Sequence, residues 1–110
     1  MDDLMGALES TCKDLDTAMK MLRKNGNDWA LKSKEYNVAK YETSMRLRDG
    51  GMPVTMIESI IKGHPDVADK LYERDLAYVM YDSNKEAINK LKRDLGVIEN
   101  QINREWHSNE

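Results

Sequence analysis

Phenylalanine is absent from this chain of 110 residues, proline occurs twice and cysteine once. Each scarcity excludes something. With few aromatic residues, few turn formers and an abundance of Lys, Glu, Asp, Leu and Met, the composition suits extended helices rather than a sheet. A single cysteine, Cys12, excludes an intramolecular disulfide and a cysteine cluster for zinc, and fits an intracellular protein. No apolar run approaches the roughly 20 residues that cross a bilayer. The start, Met1-Asp2-Asp3-Leu4, is acidic and lacks the basic stretch and apolar run of a secretory signal. These absences lead to the expectation of a single helical domain over residues 1–110, all-α, cytoplasmic and without a membrane segment.

What the chain does have is periodicity. Tyr81, Ile88, Leu95 and Ile102 recur every seven positions, with Asn84, Leu91 and Ile98 in the alternate slots. That is the seam of a helix packing lengthwise on another. Leu8, Leu15 and Leu22 repeat the interval near the start, flanked by Leu4, Met5, Cys12, Ala18 and Met19 as a broad apolar stripe. On that stripe Cys12 reads as a packing residue. Asn25-Gly26-Asn27-Asp28 resembles a helix stop, yet Trp29 and Tyr36 continue the series from Leu22 in phase. The phase favours one helix over about residues 3–48, with a weak point near residue 26.

Asp49-Gly50-Gly51-Met52-Pro53 ends that helix, and Pro53 suits the first position of a short one over about 53–62. Val54, Ile57, Ile60 and Ile61 are its expected apolar face, with Met56 beside them. Gly63-His64-Pro65 then opens a last helix to about Trp106. Both long helices span about 60 Å at ~1.5 Å per residue, and equal lengths predict an antiparallel hairpin. Two apolar stripes share the first half of the last helix: Val67, Leu71, Tyr78 and Tyr81, and separately Tyr72, Leu76, Val79 and Met80. A two-helix hairpin covers one face of each rod, so the second stripe predicts a further partner, with assembly into a coiled-coil or helical-bundle oligomer.

The net charge of −3 conceals an asymmetry. Residues 20–48 hold eight basic side chains against three acidic, a local balance of +5, while the flanking segments carry −4 each. Lys20, Arg23, Lys24, Lys32, Lys34 and Arg48 are the candidates for a nucleic-acid contact, with Trp29 and Tyr36 to stack on bases. Charge pairing between antiparallel helices accounts for the same pattern, and the acidic total disfavours nucleic acid. Asn84 in the seam sets register or oligomeric state, or sits at a partly exposed position. Arg74 on the same line, beside Glu73 and Asp75, reads as a paired or solvated side chain.

The search for chemistry is short. His64 lies in a turn and His107 in a polar tail, without the acid and nucleophile that would make either a general base. Asp66, Asp69 and Glu73 share a helix face but converge with no further ligand. Gly50-Gly51 leads into Pro53 without the Lys and Ser or Thr of a phosphate loop. No catalytic residue, metal or cofactor is expected.

The run from Arg48-Asp49-Gly50-Gly51-Met52-Pro53-Val54-Thr55 to Lys62-Gly63, with Val67-Ala68, Glu86-Ala87-Ile88-Asn89-Lys90-Leu91-Lys92 and Gln101-Ile102-Asn103-Arg104-Glu105-Trp106, resembles small helical proteins from bacteriophages and prophage-like elements of Gram-positive bacteria. The resemblance implies a phage early or replication and recombination gene region, and carries no catalytic residues over. Two functions follow as expectations. One is a non-enzymatic helical protein that self-assembles and binds a phage or host protein, as an accessory of phage replication or recombination or an inhibitor of host defence. The other is a nucleic-acid binder using the basic segment.

Overall fold

The computed structural model describes residues 2–108. Three helices and one turn of 3-10 helix account for nearly all of them: α1 over Asp2–Asp49, α2 over Val54–Ile60 continued by the 3-10 turn Ile61–Gly63, and α3 over Pro65–Ser108. The long helices α1 and α3 pack on each other as an antiparallel helical hairpin. Arg46 meets Asp66, Lys32 meets Glu73, and Asn84 reaches Ala18, so the contact point moves up α3 as it moves down α1.

Asp2 and Asp3 occupy the first turn of α1, and Arg46 and Arg48 the last, in the sense that the helix dipole favours at both ends. The reversal after α1 is built from backbone hydrogen bonds. The Met52 N–H donates to the Leu47 carbonyl at 3.0 Å and the Gly51 N–H to Arg48 at 2.9 Å, the paired bonds of a Schellman C-cap. Gly51 takes the left-handed position this cap needs, with φ of 95°. Leu47 and Met52, the residues whose contact accompanies such a cap, both pack against the buried cluster below.

Pro53 stands just outside α2, not at its first helical position. Its backbone is extended, and its carbonyl accepts from Met56 and Ile57, each at 3.1 Å. The apolar face of α2 is also narrower than the expected four residues. Ile57 and Ile61, one turn apart, are buried, whereas Val54, Met56 and Ile60 are exposed. Ile57 and Ile61, an i, i+4 pair, share the face turned to the cluster with Tyr36 and Val67, and the other apolar side chains fall outside it.

The chain comprises two compact units. The first joins the α1 segment up to Lys24 to the α3 segment from Asp82 onward; the second is Asn25–Tyr81. In the second unit Tyr36, Ile57, Ile61 and Val67 form the buried cluster, with Leu47, Met52 and Leu71 against it. In the first unit the seam is half-buried along its length, and Ile88 is its one fully buried hydrophobic residue among those described. The stripe anticipated around it is narrower: Leu4 and Ala18 are half-buried, but Met5, Met19 and Cys12 are exposed. Thr11 takes the inward place between Leu8 and Leu15, which turns Cys12 away from α3.

Gly26 does not break α1. A Cβ placed there would lie 3.4 Å from Cε2 of Tyr81 and 3.7 Å from Cδ2, so the glycine makes room for a ring on α3. Gly96, in contrast, has nothing within 4 Å of the same position. Relative to glycine, alanine in a helix interior gains about 1 kcal/mol. Gly96→Ala should realise that gain in urea denaturation, and Gly26→Ala a smaller one. Gly26→Val should cost about 1–3 kcal/mol by displacing the Tyr81 ring. An equal gain for valine at both positions would refute the packing role of Gly26.

Candidate interaction surfaces

The proposed seam residues of the first unit, Leu8, Leu15, Leu22, Asn84, Leu91, Leu95, Ile98 and Ile102, are all half-buried, and Ile88 is buried. Tyr81 belongs to the second unit and is half-buried as well. Asn84 uses its place in the seam: its Nδ2 donates to the carbonyl oxygen of Ala18 at 3.0 Å. That carbonyl lies in mid-helix and has a second lone pair to offer. The bond therefore pins the register of α3 on α1 without opening the α1 ladder.

In the second unit aromatic and charged side chains join the seam. Trp29 lies 5.1 Å from Tyr78 in a tilted arrangement and 5.4 Å from Tyr81 in a stacked one. Tyr36 is 3% exposed, with the Arg74 guanidinium 4.5 Å and the Lys40 ammonium 6.0 Å from its ring centre. Arg74 also donates to Asp75 Oδ1 from Nη2 at 3.0 Å and from Nε at 3.2 Å. It is thus paired and packed on a ring at once, an arrangement that spacing alone did not reveal. Both rings considered for base stacking are engaged within the protein.

Beside them Lys32, Glu35, Lys70 and Glu73 form a quartet across the two helices. Lys32 Nζ lies 3.5 Å from Glu35 Oε2 and 4.0 Å from Glu73 Oε2. Lys70 Nζ lies 3.5 Å from Glu73 Oε2 and 4.0 Å from Glu35 Oε2. Each carboxylate oxygen is covered and accepts no hydrogen bond, so the attraction here is between charges, each ammonium shared by two carboxylates. Of the six basic candidates, Lys32 is consumed in this way. Lys20, Arg23, Lys24, Lys34 and Arg48 are exposed, with Lys20 held 3.1 Å from Asp16 in the first unit.

His64 has a role that its turn position did not announce. It caps α3: its carbonyl accepts from Val67 at 2.9 Å and Ala68 at 2.8 Å, while its Nδ1 accepts from the Asp66 N–H at 3.1 Å. Asp66 in turn receives Arg46 Nη2 at 2.8 Å, which ties the end of α1 to the start of α3. This hydrogen bond holds the Asp66 carboxyl below its ordinary value. A depressed carboxyl pKa contributes stability above the unfolded value and loses it as pH falls through the folded one. An NMR titration should find Asp66 titrating below the ordinary aspartate value, and Arg46→Gln should raise it; an unmoved Asp66 in that variant would contradict the assignment.

The second unit also exposes large apolar side chains. In the second unit Tyr72, Leu76, Val79 and Met80 on α3 are 68%, 49%, 55% and 55% exposed. Leu31, Val38 and Tyr41 on α1 are exposed too. An open groove of about 500 Å³ runs along α1, lined by Leu31, Lys34, Glu35, Val38, Ala39, Glu42 and Lys70. Its volume falls within the range of ligand clefts, but its open lining, drawn almost wholly from one helix, suits a side chain of another protein better than an enclosed small molecule. Among the described residues no group of three or more His, Cys, Asp or Glu could hold a metal ion, and no helix is long and apolar enough to cross a membrane.

Fold and surface together define an all-α helical hairpin with unpartnered apolar rows. Comparison with protein-family models, curated proteins and solved structures finds no match.

Proposed function

We propose that this chain is a non-enzymatic helical protein that works by association, assembling with itself and docking on another protein. The observation that carries the reading is the row Tyr72, Leu76, Val79 and Met80, four large apolar side chains exposed along α3 in a chain whose seven-residue periodicity is spent on the α1–α3 seam. Large side chains aligned on one exposed helix face are what a helix-to-helix contact uses. The Met-Pro-Val-Thr and Arg-Glu-Trp segments, similar to small phage proteins, suggest the setting: the cytoplasm of a bacterial host, as an accessory or modulator of phage replication or recombination, or an inhibitor of host defence. Light scattering over a wide concentration range tests the association, with a mass that rises with concentration as the expected result and a constant monomer mass as the refuting one.

A second reading, contact with nucleic acid through Lys20, Arg23, Lys24, Lys34 and Arg48, draws support from the exposure of those five cations. It loses weight because Lys32 is paired with Glu35 and Glu73 and the Trp29 and Tyr36 rings are engaged. Electrophoretic shift at several salt concentrations separates the two readings, since phosphate binding must weaken steeply with salt.

A further inference from the structure

Two exposed rows of the second unit share one spacing. On α1 the row is Val38, Tyr41, Met45 and Arg48; on α3 it is Asp69, Tyr72, Leu76 and Val79. Both step by three, four and three residues, the interval that keeps side chains on one helix face. All are exposed except Met45, which is half-buried. The seam between α1 and α3 uses other positions, Tyr36, Thr43, Val67 and Ala77 among them, so neither row can satisfy the other within one chain.

We propose that the α1 row of one copy docks antiparallel on the α3 row of a second copy of this chain, with Arg48 on Asp69, Tyr41 on Leu76 and Val38 on Val79. The choice rests on matching layers. Laid antiparallel, the unlike rows pair Arg48 with Asp69, Met45 with Tyr72, Tyr41 with Leu76 and Val38 with Val79: one opposite-charge layer and three apolar ones. Laid parallel, the same rows put Asp69 on Val38 and Arg48 on Val79. A row laid antiparallel on its own copy sets each charge against a valine, and a row laid parallel on itself sets like charge on like. Only one of these arrangements leaves no charge over an apolar side chain and none facing its own sign, and desolvated unpaired charge is what specific helix contacts exclude.

The contact joins two different faces, so each copy keeps a free α1 row or a free α3 row after its first contact. Such head-to-tail contacts build rings or open chains instead of stopping at a dimer. This docking rests on the self-association proposed above and names its partner and register.

Sedimentation velocity on the full chain tests it through charge reversal. Arg48→Glu alone and Asp69→Lys alone should each need about tenfold more protein than wild type to reach the same mean mass. An equimolar mixture of the two should return towards wild-type behaviour, because the carboxylate introduced on α1 of one variant then faces the ammonium introduced on α3 of the other. Arg48→Gln and Asp69→Asn, milder changes at exposed positions, should each weaken association less, and their mixture should recover only in part, because the unaltered Arg48 of one variant meets the unaltered Asp69 of the other while every second contact stays uncharged. Circular dichroism confirms that helicity is kept. Wild type that associates while the reversals are silent, or whose reversed variants do not rescue each other, overturns this docking and leaves self-association standing. Wild type that stays monomeric at all concentrations overturns both.

Discussion

Tyr36→Ala should lower the unfolding free energy by about 3–5 kcal/mol, the loss usual for removing a large buried aromatic side chain. Tyr36 joins the α1 wall of the second unit to Ile57, Ile61 and Val67, so α2 and the start of α3 lose a shared packing surface when the ring goes. The same truncation leaves the Arg74 guanidinium, 4.5 Å from the ring centre, without its aromatic face. Single domains are commonly stable by only about 5–15 kcal/mol, so the loss is a large share of the total. Tyr36→Phe keeps the ring and should cost about 1 kcal/mol or less. Urea denaturation of both variants decides the matter, and a loss below about 1 kcal/mol for the alanine variant would remove Tyr36 from the centre of the core.

Ile88→Ala is the corresponding cut in the first unit and should cost about 2–4 kcal/mol. Its neighbours along the seam, Leu91, Leu95 and Ile98, are only half-buried, so the energy of that unit is concentrated at Ile88. Hydrogen exchange should quicken in residues 2–24 and 82–108, the segments that this contact joins. Leu95→Ala, at a seam position already open to water, should cost distinctly less. If the two substitutions cost the same, the burial difference between them carries no energetic weight.

The helices themselves were legible from the residues. Seven-residue spacing from Leu8 to Tyr36 and from Tyr81 to Ile102, with Gly51 and two prolines as punctuation, is enough to place α1, α2 and α3, because helix formation and helix termination are decided by neighbours within a few positions. The second stripe on α3 was legible in the same way, since a face with no partner in a two-helix hairpin must be exposed.

Other assignments failed for a common reason. Cys12 lies on an apolar stripe in sequence and outside it in space, and Ile60 reads as core yet is exposed, because a narrow two-helix contact buries only the middle of a stripe and periodicity does not measure its width. The capping by His64 and the Arg74 contact with Tyr36 were not visible, since each depends on a backbone direction or a neighbour many residues away.

By itself, then, the order of residues determined three helices, their approximate ends and the central line of each packing seam, all consequences of local periodicity and capping. Only the tertiary structure decided that Gly26 is a notch for Tyr81 instead of a break, that Lys32 is spent on Glu35 and Glu73, and that Asn84 pins Ala18. Those outcomes depend on which side chains face one another across the hairpin, and that is set by the register of two helices whose partners lie dozens of residues apart.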